Sequence, residues 1–434
     1  MENRKDKGVD HTTAMEMINN PLLFATLLVR TGFADGTVAG SLASTASVIR
    51  AGLYGVGTPP NGKLVSSFFL MQFQTRAVTY ADCGVVPDPN AEQLAEISLP
   101  EAGKRTSARA GSEAGYAAVA KAHPNDTFIV SCDLNPSTKL GKAAAQVPAQ
   151  NQIELSIEEQ AALLVADGLA MSSYKPQVNV VSTFSAFFEG IAREGLELWR
   201  YQRNLNGVNE GLNVIMHMSH VGACTGRDHF SGWSLDWVTL AIGYLPYVDR
   251  FYTPADARGA FVAVKDACAR YGAHIVAIPR DNLLVLSDED GNALYNPDSE
   301  WEAVTPLRKH DGAKTAILAL GATAGIAQDA AEQLGGSADV YVVNGLPLPD
   351  GFLADIFEKY DGVVTAEDGI IGTRCTGVRG FAGLVLSAAS DSGTKTEHVG
   401  IVDPRIAPSE GHDEVWEHFG ITSDAIVAAA KSLA

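Results

Sequence analysis

Ile153-Glu154-Leu155-Ser156-Ile157-Glu158-Glu159-Gln160-Ala161-Ala162-Leu163-Leu164-Val165-Ala166-Asp167-Gly168-Leu169-Ala170 sets a short strand-like run directly before a helix of small and apolar residues. Ser156 and Glu159 stand in S-x-x-E spacing. That spacing is a capping box, which satisfies two amides at a helix start and needs no function. It also puts a pair of carboxylates, Glu158 and Glu159, at the head of an otherwise apolar helix.

Outward from this stretch, strands and helices alternate. A small-residue helix over Ala108 to Ala122 leads to a strand, Thr127 to Ser131, and a polar loop, Asp133 to Thr138. Beyond the Glu159 helix lie a β-rich run from Val178 to Thr183, a long helix to about Arg203 and a strand from Leu212 to Met218. A glycine-bearing loop, Ser219 to Ser234, and a short strand, Tyr247 to Tyr252, follow. Thr253-Pro254-Ala255-Asp256 reads as a helix start with Thr253 as N-cap and Pro254 at the first helical position. His274 to Ile278 closes the unit, and Leu283 to Tyr295, with Asp290-Gly291-Asn292 at its turn, is expected to be a hairpin. A second alternating unit runs from Thr315 to Gly321 through Ala338 to Val343, Gly362 to Ala366 and a helix from Thr422 to Leu433. Such alternation implies parallel sheets covered on both faces. The fold class is α/β, with two successive parallel-sheet domains after an atypical N-terminal segment. The expected divisions are an extension without an assigned role over 1–100, a first α/β domain over 101–283, a hairpin linker over 284–311 and a second α/β domain over 312–434. In the extension, a helix is expected over His11 to Leu28, then a Gly/Ala/Ser-rich tract over Thr31 to Gly57 and a connector over Pro87 to Glu101.

Bulk properties narrow the function classes. A net charge of −19 argues against nucleic acid or an anionic membrane as partner. Cys83, Cys132, Cys224, Cys268 and Cys375 are odd in number, widely spaced and form no C-x-x-C. A disulfide framework or zinc site is therefore not expected, and a reducing, cytoplasmic setting is. No stretch is long and apolar enough to span a bilayer, and the polar N-terminus has no signal-peptide core.

The I-x-E-Q core Ile157-Glu158-Glu159-Gln160, with the helix ending Gly168-Leu169-Ala170, resembles the cofactor-activating helix of the transketolase family of thiamine-diphosphate enzymes. Thr183-Phe184-Ser185-Ala186-Phe187 resembles the family's T-F-x-x-F, and His220, eight residues before Asp228, resembles the His and Asp of its substrate loop. Ile278-Pro279-Arg280 is similar to its S-R-Q turn, and Val364 to Gly369 to its V-x-x-E-D-H turn. The resemblance covers about three quarters of the chain, from Arg105 to the C-terminus. It implies thiamine diphosphate as cofactor, a pyrimidine-binding domain and a C-terminal domain. Glu159 would be catalytic and would bond the aminopyrimidine, with Phe184 and Phe187 packing on that ring. His220 would be catalytic as well, and His220, Asp228 and Arg280 would bind substrate, Arg280 through an anionic group. In that family the cofactor's own imino group takes the thiazolium proton, which requires the opposite pyrimidine nitrogen to be protonated or strongly hydrogen-bonded; a buried carboxylate provides that.

Two departures bear on the reading. The family's loop continues to a histidine that contacts the donor, and Gly232 stands there; His229 is the nearest catalytic substitute. The family's Mg²⁺ and diphosphate are held by a G-D-G and a distal asparagine in a separate domain. Here only Ala34-Asp35-Gly36 and Asn61 offer oxygen ligands, without a strand to carry them. No metal ligand is assigned, and the Mg²⁺ ligands are expected from a second subunit in an α2β2 hetero-oligomer. The implied activity is transfer of a two-carbon ketol unit between sugar or sugar-phosphate-like substrates. The β-subunit of a 2-oxo acid dehydrogenase, a deoxyxylulose-phosphate-synthase-like decarboxylating acyl transferase, and a non-catalytic partner-binding relative remain as alternatives.

Overall fold

A computed structural model describes residues 9–40, 43–58, 65, 68–72, 77–81, 99–172, 177–187, 194–199, 212–225, 236–245, 247–405, 408 and 410–433. The chain divides into two units, Met1–Pro87 and Asp88–Ala434.

The first unit carries helices His11–Met17, Pro21–Arg30 and Thr45–Gly55 and an antiparallel pair, β1 (Phe68–Gln72) and β2 (Ala77–Ala81). The single helix expected over His11 to Leu28 is two helices. Asn20 caps the second, its side chain accepting from the Leu22 amide at 2.9 Å, and Pro21 takes the first helical position, where its missing N–H costs nothing. The small-residue tract contains a helix as well, started by Ser44, whose hydroxyl accepts from the Ser47 amide. The proposed connector falls almost wholly outside the described residues.

In the second unit, β3 (Arg105–Ser107) precedes the helix Ala108–Ala122, followed by β4 (Thr127–Ser131), β5 (Gln152–Glu154), the helix Glu159–Ser172, β6 (Val178–Phe184), β7 (Val214–Ser219), β8 (Arg250–Tyr252), the helix Ala257–Ala269, β9 (Ala273–Ile278) and β10 (Asn282–Leu284). Then come β11 (Val304–Arg308), β12 (Thr315–Leu320), β13 (Ala338–Val343), β14 (Gly345–Leu346), β15 (Gly362–Ile370) and β16 (Lys395–Ile401), with helices between and the helix Ser423–Leu433 last. One sheet has the order β14-β8-β9-β7-β6-β4-β5, and the other the order β11-β13-β12-β15-β16. Apart from β14 and β11, all neighbours within these two sheets are parallel. The α/β class with two sheet domains is as the alternation implied. β14 leaves the second domain to pair with β8 of the first, and one hydrophobic core runs across both. Gly111 lets the Ala108–Ala122 helix lie against the Ala257–Ala269 helix, because a Cβ there would run into the Ala257 carbonyl.

Three local expectations change. Thr253 is not an N-cap; its hydroxyl donates to the Val343 carbonyl at 3.2 Å. Asp256 caps instead, accepting from the Gly259 amide at 2.7 Å and from the Leu286 amide at 2.8 Å. The carboxylate serves two amides where a hydroxyl at Thr253 would reach neither. The hairpin over Leu283 to Tyr295 is reduced to a turn closed by the Ser287–Ala293 bridge, because β10 pairs antiparallel with β3. The long helix after Phe184 is seen only at 185–187 and 194–199; the remainder of that expectation lies outside the described residues.

Candidate active site

Across the first sheet the chain passes from β4 outward to β5 and back to β6 on β4's other side. In parallel α/β sheets, ligands bind at the carboxyl ends of the strands where the order reverses. Glu159 opens the helix between β5 and β6, and Phe184 ends β6.

The capping box does not form. Ser156 adopts φ 57°, outside the extended region an N-cap needs, and its amide donates to Glu154 Oε1 at 3.0 Å. Glu154 takes the Asp133 amide as well, at 2.6 Å. Glu159 is thereby released from capping and turns inward. It is 3% exposed, and its Oε1 accepts from the Thr183 hydroxyl at 3.1 Å. The buried Cys132 thiol lies close enough that burial first, and the Glu159 charge second, push it up to about 12.

At the same end of the sheet the rings of Phe184 and Phe187 stack with centroids 5.6 Å apart, and Phe184 lies 3.9 Å from the ring of His220. His220 follows β7 directly, is 1% exposed and adopts φ 62°. Its Nδ1 shares a hydrogen bond with Ser219 Oγ at 2.8 Å. Burial, and then the charges of Arg109 and Arg280, push this imidazole down to about 3, so it is neutral at physiological pH. Arg280 lies just past β9; its amide and that of Asp281 donate to the Cys224 carbonyl at 3.0 and 3.1 Å. The structure thus brings Glu159, Phe184, Phe187, His220 and Arg280 to one end of the sheet. Asp228, His229 and Gly232 lie outside the described residues, as does Asn61. Asp35 is an exposed residue of the first unit.

Sequence reasoning missed Arg109. Its Nη1 donates to the Ser137 carbonyl at 2.7 Å and its Nε to Ser107 Oγ at 3.3 Å, while Ser107 Oγ donates to the Arg280 carbonyl at 2.6 Å. Arg109 and Arg280 both act on His220. A signal was present: Arg109 stands in the first turn of a helix, where the dipole opposes a cation and a non-local reason is needed.

The pyrimidine half of thiamine diphosphate fits these groups. A buried carboxylate and stacked aromatic faces stand at the same end of the sheet, and among the described residues the buried Ser185 hydroxyl has no hydrogen-bond partner. Among the described residues, no three His, Cys, Asp or Glu side chains gather as a metal site.

Residues 104–284 match the family model described as "Transketolase, pyrimidine binding domain". This part of the chain is a transketolase-type pyrimidine-binding domain. A split-gene transketolase solved as an inactive β4 tetramer superposes on the chain with TM-score 0.59 and 22% identity, covering 76% of this chain and 98% of that one. Transketolase from Leishmania mexicana gives TM-score 0.60 at 19% identity, covering 77% and 46%. At these identities the likeness is one of fold. It extends beyond the pyrimidine-binding domain to the second α/β domain.

Residues 1–111 match a different model, "Phosphate acetyl/butaryl transferase". Phosphate acetyltransferase from Nitratidesulfovibrio vulgaris is 44% identical over 98 residues, 23% of this chain and 14% of that protein. The enzyme from Acetivibrio thermocellus is 43% identical over 104 residues, 31% of that protein. The chain therefore spans between about a seventh and a third of these relatives. The N-terminal extension, for which sequence reading offered no role, is a separate kind of sequence from the pyrimidine-binding domain.

Proposed function

We propose that this chain supplies the pyrimidine-binding half of a thiamine-diphosphate active site and acts in two-carbon ketol transfer between sugar or sugar-phosphate-like substrates. The single observation that carries the reading is Glu159, buried at a helix start and bonded to Thr183, the residue before the stacked Phe184, within a transketolase-type domain. Thiamine diphosphate, when bound, supplies the nucleophilic carbon that takes up the ketol unit. With that cofactor bound, Glu159 would hold a proton at the pyrimidine nitrogen, and the aromatic pair would pack against the ring. The neutral His220 bonds substrate hydroxyls without adding charge to the cleft. Arg109 and Arg280 form a basic end for an anionic group, which favours a sugar phosphate over a neutral acceptor. Asp228 and His229 are assigned hydroxyl contacts and proton handling on the resemblance alone.

The diphosphate and Mg²⁺ are assigned to a second subunit in an α2β2 assembly. Support comes from the likeness over the whole of a split-gene transketolase chain. The thiols of Cys132, Cys224, Cys268 and Cys375 are free, which suits a cytoplasmic enzyme, and among the described residues no helix is long and apolar enough to cross a membrane. No acetyl transfer is assigned to the N-terminal segment, which spans too little of the relatives it matches.

The test is a paired assay of the chain reconstituted with a diphosphate-binding subunit, thiamine diphosphate and Mg²⁺. A ketose phosphate should serve as donor to an aldose acceptor. Carbon dioxide release from pyruvate, with no turnover of any ketose, moves the assignment to the decarboxylating β-subunits.

A further inference from the structure

The loop that carries His220 is tied to the second α/β domain through one buried carboxylate. Asp368 lies in β15, 2% exposed. Its Oδ1 accepts from the Ala223 amide at 2.9 Å and from Trp416 Nε1 at 3.0 Å, and its Oδ2 accepts from the Cys224 amide at 2.8 Å. Its backbone carbonyl accepts from Trp237 Nε1 at 2.8 Å. Two successive loop amides thus converge on one ionisable group, the arrangement by which backbone N–H groups bind anions.

The fit leaves no slack. Gly222 adopts φ 66°, and a Cβ there would collide with the Asp368 carboxylate. On its far side the same loop reaches the substrate end of the cleft. The Cys224 carbonyl accepts from the Arg280 and Asp281 amides, and the Val221 amide donates to the Ile278 carbonyl at 3.4 Å. Asp281 is anchored in turn by His412, whose amide donates to Asp281 Oδ2 at 3.2 Å. His220 stands two residues before Gly222 and three before the first amide that Asp368 holds.

We propose that Asp368 is a positioning residue through which the second α/β domain sets His220 and, one hydrogen bond further on, the Arg280 backbone. The inference rests on the substrate roles given above to His220 and Arg280. It adds a function for the second domain, which contributes none of those side chains: it fixes the distance between the hydroxyl-binding and anion-binding groups. Asp368 touches no reacting atom in this account and acts only through the loop.

Asp368→Asn keeps the shape but turns an amide N–H₂ toward one of the two loop amides. Trp416→Phe removes only one of the donors to Asp368 and guards against a folding failure in the first variant. Amide exchange followed by mass spectrometry on the full chain should show faster exchange in peptides spanning 219–225 and 278–282, on the order of tenfold in Asp368→Asn, the scale of one charge-assisted hydrogen bond. A smaller change in the same direction is expected in Trp416→Phe. Exchange in the Glu159–Ser172 helix should not move. In reconstituted enzyme, the KM for a ketose phosphate should rise about tenfold while kcat changes less. Unchanged exchange in both peptides overturns the proposal. So does loosened exchange with an unchanged KM, or an equal loss throughout the chain, since a merely structural residue behaves that way. If the wild type turns over no sugar phosphate, the functional reading fails, and the exchange pattern alone decides whether Asp368 governs the loop.

Discussion

The Thr183 hydroxyl donates to Glu159 Oε1 at 3.1 Å, joining the end of β6 to the first residue of the helix that follows β5. Each group lies on a different element, and their meeting fixes the orientation of the carboxylate before any ligand arrives. Pre-set orientation of this kind is what an acid–base group requires.

Glu159→Gln retains shape and hydrogen-bonding capacity but cannot exchange a proton. Turnover of the reconstituted enzyme should fall by about 10²–10⁴-fold, the range for loss of a positioned acid–base group, with the melting temperature little changed. Turnover near the wild-type rate would falsify the proton role and leave Glu159 a structural residue. Thr183→Val should cost about 1–3 kcal/mol in stability by leaving a buried carboxylate oxygen without its donor, measurable by denaturant unfolding.

The isolated chain should not bind thiamine diphosphate tightly, because the diphosphate and Mg²⁺ ligands are assigned to the partner. Calorimetric titration of the purified chain with cofactor and Mg²⁺, without and then with the diphosphate-binding subunit, checks this. Tight binding by the chain alone sinks the divided site.

Arg280→Lys keeps the charge and removes the planar fork. The KM for an anionic substrate should rise about tenfold, and that for a neutral analogue should rise much less. Equal effects on both substrates would mean that Arg280 serves the backbone turn at Cys224 rather than an anion.

His274, the second residue of β9 and packed edge-on to Tyr252, is pushed down to about 4 by burial, with Arg250 adding to the shift and Asp249 and Asp266 opposing it. Its folded value lies below its unfolded value, so the unfolded chain binds the proton first. The contribution of His274 to stability is intact above the unfolded value of 6.5 and is lost as pH falls toward about 4. His274→Leu removes this sensitivity. Between those pH values the wild type should lose up to about 3 kcal/mol relative to the variant, read from parallel denaturant curves. Parallel pH profiles for the two proteins would show that His274 does not titrate in this window.

The sequence by itself determined the α/β class, the presence of two sheet domains and most strand positions, because period and length of apolar runs follow from local backbone geometry. It also picked out Glu159, Phe184, His220 and Arg280, which stand in recognisable local patterns. Tertiary structure alone decided what those residues do with their polar atoms. Ser156 and Glu159 have the spacing of a cap, yet Glu154 takes the Ser156 amide and Glu159 turns to a strand twenty-four residues away. Thr253 and Asp256 are both good caps locally, and the Leu286 amide, distant in sequence, favours the carboxylate. Arg109, the loop amides that Asp368 holds and the pairing of β10 with β3 were equally hidden. Each depends on a partner far along the chain, and a buried polar group takes the partner the whole fold brings to it, not the nearest one in sequence.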